Sequence, residues 1–268
     1  MKLIAGSAVS TVESHYPKFI SRVQHLCSLN ITVLVNIFNK VTILPENNNC
    51  ITFFNYQTHK GFFWHQIFTA SQVQNFDYVW FFDSDLNVAH PKFDPYKVIN
   101  KMIKVNASIA QPLIAAPLHK RSSDHKNLRA NIYNNSQCSI KCSNFVEVMT
   151  PFIEISSWKL LHSRVLSRTK TGLKSTIYGL DEIWCNYLLQ KTGRVCIVTN
   201  DVIFHEDRRS IEQSKVAVKR KYDRGAINFY KHLFNYSILV KPKCMDSSNR
   251  CEIIAGKKCT KSNCLVHY

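Results

Sequence analysis

The chain has 268 residues, of which 45% are apolar and 20% are charged. This balance excludes a largely disordered chain and suits one α/β domain with a substantial buried core. The 35 Lys and Arg residues outnumber the 18 Asp and Glu residues, so the formal net charge of +17 favours an anionic partner. Because the basic residues are scattered and form no stripe with aromatic residues, we rank nucleic acid behind small phosphate ligands.

The first part of the chain predicts a β-α-β unit followed by a third strand. Residues 3–10 form a short apolar run, spaced apolar positions over 13–29 suit a helix, and residues 30–38 predict a second strand. Residues 50–56 predict the third strand. Such a unit makes a right-handed crossover and leaves the carboxyl ends of its parallel strands at one edge, where open α/β sheets bind ligands.

The next segment predicts a helix and then a strand that ends in two acids. Apolar and aromatic positions over 58–74 give the helix a core face. Residues 78–82, YVWFF, form an apolar strand that runs directly into Asp83 and Asp85. We therefore expect both acids to lie at the ligand-binding edge of the sheet.

The second half of the chain alternates between strand and helix patterns. A polar excursion over 119–144, which carries Cys138 and Cys142, is a candidate acceptor-side loop. The remaining predictions are a helix at 94–107, a strand and turn at 108–118, a strand at 145–156 and a helix at 156–169 with a Ser N-cap. A helix is predicted at 179–193, with acids in its first turn and Gly193 at its end, and one or two short strands are predicted within 195–209.

The positions of the cysteines suggest a domain boundary, and their number suggests a cellular compartment. Four of the ten cysteines lie within residues 244–264, so we predict one domain at 1–238 and a Cys-rich tail at 239–268. Their spacing lacks the short knuckles of most zinc sites and favours disulfides. Disulfides and the sequons at Asn30, Asn106, Asn134 and Asn235 favour the Golgi or ER lumen. No signal peptide, anchor or transmembrane segment is visible, so a cytoplasmic location stays open.

Asp83 and Asp85 are the strongest candidates for a chemical role. Their spacing lets a turn present two hard oxygen ligands to Mg²⁺ or Mn²⁺ against a diphosphate, although a solvated turn is the usual explanation for such a pair. The strand at 78–82 favours a metal site over a solvated turn, because it fixes the pair at the edge of the sheet where ligands bind. His205 follows the apolar residues 202–204 and is the best-placed histidine to complete the metal shell, with a backbone-bonded histidine as the alternative.

Other charged residues are candidates with strong structural alternatives. Lys60 is a candidate diphosphate contact or a solvated lysine. Asp181 and Glu182 either stabilise the start of a helix through its dipole or supply a carboxylate that removes a proton from an acceptor hydroxyl. Glu206 is interpreted as a solvated acid. P-loop, dinucleotide, serine-hydrolase and HExxH motifs are absent from the sequence, which weakens those classes.

Six sequence blocks carry a resemblance to a known family, and they lie in order at 56–68, 77–99, 109–114, 138–159, 178–188 and 198–208. They resemble a eukaryotic family, abundant in plants, that is often labelled lysine-ketoglutarate reductase trans-splicing related and is similar to GT-A type glycosyltransferases. The family motif reads D-E-D-L-G-V, so Ser84 and Asn87 depart from it. Without a dinucleotide fingerprint, we set the reductase label aside.

The resemblance implies a GT-A-like, Rossmann-like fold with a mostly parallel sheet flanked by helices. It implies that the DXD motif Asp83, Ser84 and Asp85 contacts metal and nucleotide, that His205 is the third metal ligand, and that Asp181 lies near the acceptor. The implied activity is transfer of a sugar from a nucleotide-sugar, expected to be a UDP-sugar, to a hydroxyl of a glycan or glycoprotein with Mn²⁺ or Mg²⁺. The alternatives are a catalytically silent GT-A-like domain that binds a glycan or protein partner, and a nucleic-acid-binding domain.

Overall fold

The computed structural model of the protein describes residues 1–58, 60–115, 139–169, 177, 179–181 and 183–206. The strands in these ranges are β1 (Leu3–Val9), β2 (Thr32–Ile37), β3 (Ile51–Phe54), β4 (Tyr78–Phe81), β5 (Leu86–Asn87), β6 (Ile109–Ala115), β7 (Ile140–Ser143), β8 (Phe152–Glu154) and β9 (Cys196–His205). The helices are α1 (Tyr16–Ser28), α2 (Lys60–Ile67), α3 (Pro95–Val105), α4 (Ile155–Arg164) and α5 (Trp184–Thr192), with a 3-10 turn at Leu166–Thr169.

The strands form one central sheet in the order β3-β2-β1-β4-β8-β6-β9-β5, with β7 beside β9. Strands β1 to β4 pair in parallel, as do β6 and β9, whereas β8 is antiparallel to both of its neighbours. The predicted α/β class, with a central sheet flanked by helices, is confirmed. The half of the sheet beyond β4 mixes parallel and antiparallel pairs.

The order of the strands reverses at β1. The chain moves outward from β1 to β2 and β3, and then returns to β4 on the other side of β1. Open α/β sheets bind their ligands in the crevice that such a reversal opens at the carboxyl ends of the strands. Gly6 of β1 lies beside Phe81 of β4, and a Cβ at Gly6 would stand only 2.3 Å from the Phe68 ring.

The core consists of two apolar layers, one on each face of the sheet. Helices α1 and α3 pack on one face, and α2, α4 and the buried side of α5 pack on the other. Strand β4 contributes to both layers, because Trp80 faces the first layer and Phe81 faces the second, and both are fully buried. Each such side chain stabilises the fold by about 1.5–3 kcal/mol through burial.

Two strand boundaries differ from the sequence prediction. Only Phe152–Glu154 of the predicted strand at 145–156 forms a strand, since residues 145–151 lie outside any strand and carry Pro151, which has no amide proton for a ladder. The predicted excursion at 119–144 ends in β7, which pairs with β9. Residues 119–138 of that excursion lie outside the described residues, as does the tail at 239–268.

Two helix starts also differ from the prediction. Helix α4 is capped by Glu154 rather than by a serine, because the Glu154 carboxylate accepts hydrogen bonds from the backbone N–H groups of Ser156 and Ser157. Helix α5 begins at Trp184 and has no acid in its first turn, so Asp181 precedes it. Gly193 ends α5 in the left-handed conformation, as predicted.

Two disulfides join described elements. Cys27 of α1 pairs with Cys50 beside β3, and Cys185 of α5 pairs with Cys196 of β9. The disulfides that the cysteine content favours are present at these four residues. The preference for disulfides over zinc in the tail concerns residues outside the described ones. Among the described helices, none has the length and apolar character that crossing a bilayer requires.

Replacing Glu154 with Gln tests the cap of α4. Burial raises the pKa of Glu154, but hydrogen bonds from Ser156 and Ser157 and the charge of Arg194 outweigh it, so the pKa lies below its ordinary value of 4.5. A carboxyl group whose pKa is lower in the folded protein than in the unfolded chain stabilises the fold at pH values above the unfolded-state pKa. That stabilisation is lost as the pH falls through the folded-state pKa. We expect Glu154→Gln to lower the free energy of unfolding by about 1–2 kcal/mol at neutral pH.

Urea unfolding between pH 7 and about pH 3 measures the effect, and the difference between the two proteins should shrink as pH falls through the folded pKa. Glu46→Gln, at an exposed position, is the control and should cost little. A difference for Glu154→Gln that stays constant with pH would contradict the assignment.

Candidate functional site

The turn that follows β4 is fixed by the backbone on both sides. The N–H of Phe82 donates to the carbonyl of Gly6 at 3.0 Å, and the N–H of Asp83 donates to the carbonyl of Met149 at 3.0 Å. The N–H of Leu86 then donates to the carbonyl of Asp83 at 3.1 Å and closes the turn. Asp83, Ser84 and Asp85 therefore lie beside the carboxyl ends of β1 and β4, at the edge of the sheet where the sequence predicts them.

Lys60 pairs with the first acid of the turn. Lys60 is the first residue of α2, and its Nζ lies 2.6 Å from Asp83 Oδ1 and 3.2 Å from the carbonyl oxygen of Val148. Burial raises the pKa of Asp83 above its ordinary value, the positive charge of Lys60 lowers it in part, and the charge of Asp85 raises it further. Lys60 is thus an internal cation for one carboxylate of the turn.

His205 lies against the second acid, 120 residues away in the sequence. Its Nε2 is 3.0 Å from Asp85 Oδ2, and both side chains are largely buried. The pairing of β5 with β9 produces this contact, because Leu86 lies opposite His205 in the antiparallel register. The structure therefore brings the predicted distant partner directly beside Asp85.

Ser84 connects the turn to the loop after β1. Its hydroxyl lies 3.0 Å from His15 Nε2, which is also 3.1 Å from Glu13 Oε2. His15 directly precedes α1, so the contact joins the two walls of the crevice. His15 is not predicted from the sequence, because nothing in its local pattern marks a partner 69 residues away.

Glu206 is part of the same region, and its interpretation as a solvated acid is wrong. Its carboxylate forms an ion pair with Arg22 of α1 and accepts a hydrogen bond from Asn87 Nδ2 at 2.7 Å. Its backbone N–H donates to the carbonyl of Asp85 at 2.9 Å. The sequence does not predict the contacts of Arg22 and Asn87 with Glu206. A buried arginine on an amphipathic helix has the same local sequence pattern as a solvated one.

Of the two acids predicted to lie near the acceptor, Asp181 and Glu182, the structure describes only Asp181. Asp181 lies between Leu180 and α5, and its carboxylate accepts a hydrogen bond from the N–H of Gly179 at 3.2 Å. Glu182 lies outside the described residues. The role of either residue as a base stays a prediction.

The chemistry of Asp85 and His205 fits a divalent metal site. A carboxylate oxygen and an imidazole nitrogen meet at one point, and the neighbouring Asp83 adds negative charge. Within the described residues, no group of three or more His, Cys, Asp or Glu side chains is arranged to hold a metal ion. Carboxylate and imidazole are both donors that divalent ions accept, and the role of this pair as metal ligands stays a prediction.

Comparison with known proteins gives a family and a fold. A family model described as "Protein of unknown function (DUF707)" matches residues 46–232, a range that contains Lys60, both acids of the turn and His205. No curated protein matches the chain. A mycobacterial protein of known structure is 14% identical with a TM-score of 0.50, over 87% of this chain and 74% of that protein, and has a similar fold.

Two solved glycosyltransferases are more distant in structure. One, involved in glycosylation of the major capsid of the virus PBCV-1, is 13% identical with a TM-score of 0.42, over 84% of this chain and 99% of that protein. The other, an apo-form enzyme of Streptococcus pneumoniae, is 14% identical with a TM-score of 0.37, over 90% of this chain and 52% of that protein. Scores of this size establish no function for this chain.

Replacing Lys60 with Met tests its pairing with Asp83. We expect the pKa of Asp83 to rise further above its ordinary value, because the nearby ammonium charge is the largest influence that lowers it. Carboxyl ¹³C NMR across a pH titration measures the change, with the signal assigned through Asp83→Asn.

Lys101→Met is the matched control, since Lys101 forms a comparable pair with Asp201, 2.8 Å apart, away from the turn. The control should leave the Asp83 titration unchanged. An Asp83 pKa that is equal in Lys60→Met and in the parent protein would contradict the pairing.

Proposed function

We propose that this chain, which belongs to the DUF707 family of proteins of unknown function, is a metal-dependent glycosyltransferase. It takes a sugar from a nucleotide-sugar, with UDP-sugars as the first choice, and transfers it to a hydroxyl of a glycan or glycoprotein. The two disulfides and the sequons support the Golgi or ER lumen as its site of action.

The contact between Asp85 and His205 at the carboxyl edge of the sheet is the observation that carries the proposal. A buried carboxylate and imidazole meet there, two residues after Asp83 and so beside the crevice that a reversal of strand order at β1 is expected to open. That crevice is where open α/β sheets bind nucleotides. A carboxylate and imidazole in such a place suit a divalent ion better than they suit a structural turn.

The charges around the turn suit a diphosphate. Asp85 and His205 would hold Mn²⁺ or Mg²⁺, with Asp83 orienting the ion or the nucleotide, and the bound ion would supply neutralisation of the negative charge on the leaving nucleotide. Lys60 is placed to exchange its contact with Asp83 for a phosphate oxygen, because its side chain is one quarter exposed. Ser84 would contact the donor from the floor of the crevice.

The acceptor hydroxyl needs a base if the reaction inverts the anomeric centre. Asp181 or Glu182 would accept the hydroxyl proton, for which a carboxylate within hydrogen-bond distance is sufficient. The oxygen then attacks the sugar carbon while the bond to the diphosphate breaks. Asp181 precedes α5 in a loop, and its carboxylate already accepts a hydrogen bond from Gly179, which holds it in place.

The contact between Lys60 and Asp83 also favours a second candidate function. An internal ammonium that already neutralises one acid is compatible with a catalytically silent GT-A-like domain that binds a glycan or protein partner without a metal. The two candidates differ in one measurable property, which is metal-dependent nucleotide binding.

Calorimetry with UDP separates the candidates. We expect UDP to bind in the presence of Mn²⁺ and to lose at least about tenfold in affinity when Mn²⁺ is removed or Asp85 is changed to Ala, because the ion joins the protein to the diphosphate. Asp77→Ala is the control, since Asp77 lies at the opposite end of β4 and is exposed.

The enzyme proposal fails if UDP, GDP and their sugar conjugates all bind without dependence on metal or on Asp85. A screen of nucleotide-sugars for Mn²⁺-dependent nucleotide release would then identify no donor. Binding of a glycan by the same protein would support the silent domain.

Replacing Asp181 with Asn tests the base. We expect the transfer rate to fall by about 10²–10⁴-fold while the affinity for UDP with Mn²⁺ changes by less than about twofold, because a general base acts on the acceptor and does not hold the donor. Glu182→Gln, measured in parallel, assigns the role between the two acids. Equal rates in the parent and both variants would remove both residues from the mechanism.

A further inference from the structure

Glu206 joins the end of β9 to two other elements. Its backbone N–H donates to the carbonyl of Asp85, and its two carboxylate oxygens contact different partners. Oε1 accepts from Asn87 Nδ2 at 2.7 Å, and Oε2 pairs with the guanidinium of Arg22. Because Glu206 directly follows His205, these contacts act on the backbone that carries the imidazole.

Arg22 is unusual for a basic residue in this chain. It lies on the inward face of α1 beside Phe19 and Val23, and its side chain is only 8% exposed. Burying a guanidinium costs free energy unless a counter-charge and hydrogen bonds offset the lost hydration. Glu206 supplies the counter-charge, 184 residues further along the chain.

The position of this pair distinguishes it from the other Arg–Glu pair of the described chain. Arg194 and Glu154 lie 2.7 Å apart at the start of α4, where they cap a helix. The pair of Arg22 and Glu206, together with Asn87, instead links α1 and β5 to the residue that directly follows His205 at the end of β9. The pair therefore lies next to the backbone that carries His205, and not at a helix start.

We propose that Arg22 is a positioning residue that holds His205 beside Asp85 by fixing Glu206. Glu206 and Asn87 complete this clamp, which we define as Arg22, Glu206 and Asn87. The consequence for metal binding rests on the proposed function. Partners that orient a metal ligand typically change metal affinity by about 10–100-fold when they are removed.

The clamp affects metals that prefer nitrogen more than metals that prefer oxygen. Mg²⁺ is a hard ion that takes oxygen ligands, whereas Co²⁺ binds imidazole well. Displacing His205 therefore lowers the affinity for Co²⁺ more than the affinity for Mg²⁺. The ratio of the two affinities reports the position of the imidazole, and a general loss of stability does not change it.

Arg22→Met is the best variant. Methionine fills the buried space with an apolar side chain, and the Glu206 carboxylate, which is 30% exposed, keeps its contact with Asn87 and is accessible to water. Glu206→Gln would instead leave a buried guanidinium without its counter-charge, which is expected to unfold part of the domain. Asn87→Ala is the second variant, because it removes one hydrogen bond of the clamp without burying a charge.

The matched control is Arg194→Met, which breaks an Arg–Glu pair away from the site. Two measurements are made on each folded protein. The first is the imidazole NMR signal of His205, assigned through His205→Gln, without metal. The second is calorimetric affinity for Co²⁺ and for Mg²⁺ in the presence of UDP.

We expect Arg22→Met to shift the His205 signal and to lower the Co²⁺ to Mg²⁺ affinity ratio by about tenfold. Asn87→Ala should change both in the same direction by a smaller amount, and Arg194→Met should change neither. A His205 signal that is the same in the parent, Arg22→Met and Asn87→Ala overturns the clamp. A shifted signal in a protein whose parent form binds no metal supports the clamp and overturns the proposed function instead.

Discussion

Burial of β4 on both of its faces is the constraint on which the candidate site depends. Trp80 stacks on Phe152 at 4.7 Å in one layer, and Phe81 stacks on Trp64 at 4.1 Å in the other. A slip of one residue would exchange these side chains between the layers, so the register of the strand is fixed. The acid that follows, Asp83, is therefore delivered to the edge of the sheet at one defined position.

The acids at that edge are tolerated because each has a specific partner. Gathered carboxylates in a partly buried place repel each other and lose hydration. Lys60 neutralises Asp83, His205 contacts Asp85 and Arg22 neutralises Glu206. Each of the three carboxylates therefore has a basic partner within the fold, and none of them depends on solvent alone.

The mixed half of the sheet supplies the second wall of the site. Strand β8 runs antiparallel between β4 and β6, so the parallel pair of β6 and β9 forms beyond it. The short β5 leaves the turn after β4 and pairs with the end of β9. This pairing carries His205 and Glu206 across the sheet edge to Asp85, which explains how two chain segments 120 residues apart build one site.

The sequence by itself determined the α/β class, the strand that ends at Asp83, the preference for disulfides and Gly193 at the end of α5, because these follow from local periodicity, local residue types and cysteine content. It also named Lys60 and His205, the latter through family resemblance. Only the tertiary structure decided the antiparallel β8, the cap at Glu154 and the contacts of His15 and Arg22. These depend on strand order and on side chains that meet from distant segments, and no local pattern encodes which of many polar residues will meet when the sheet closes.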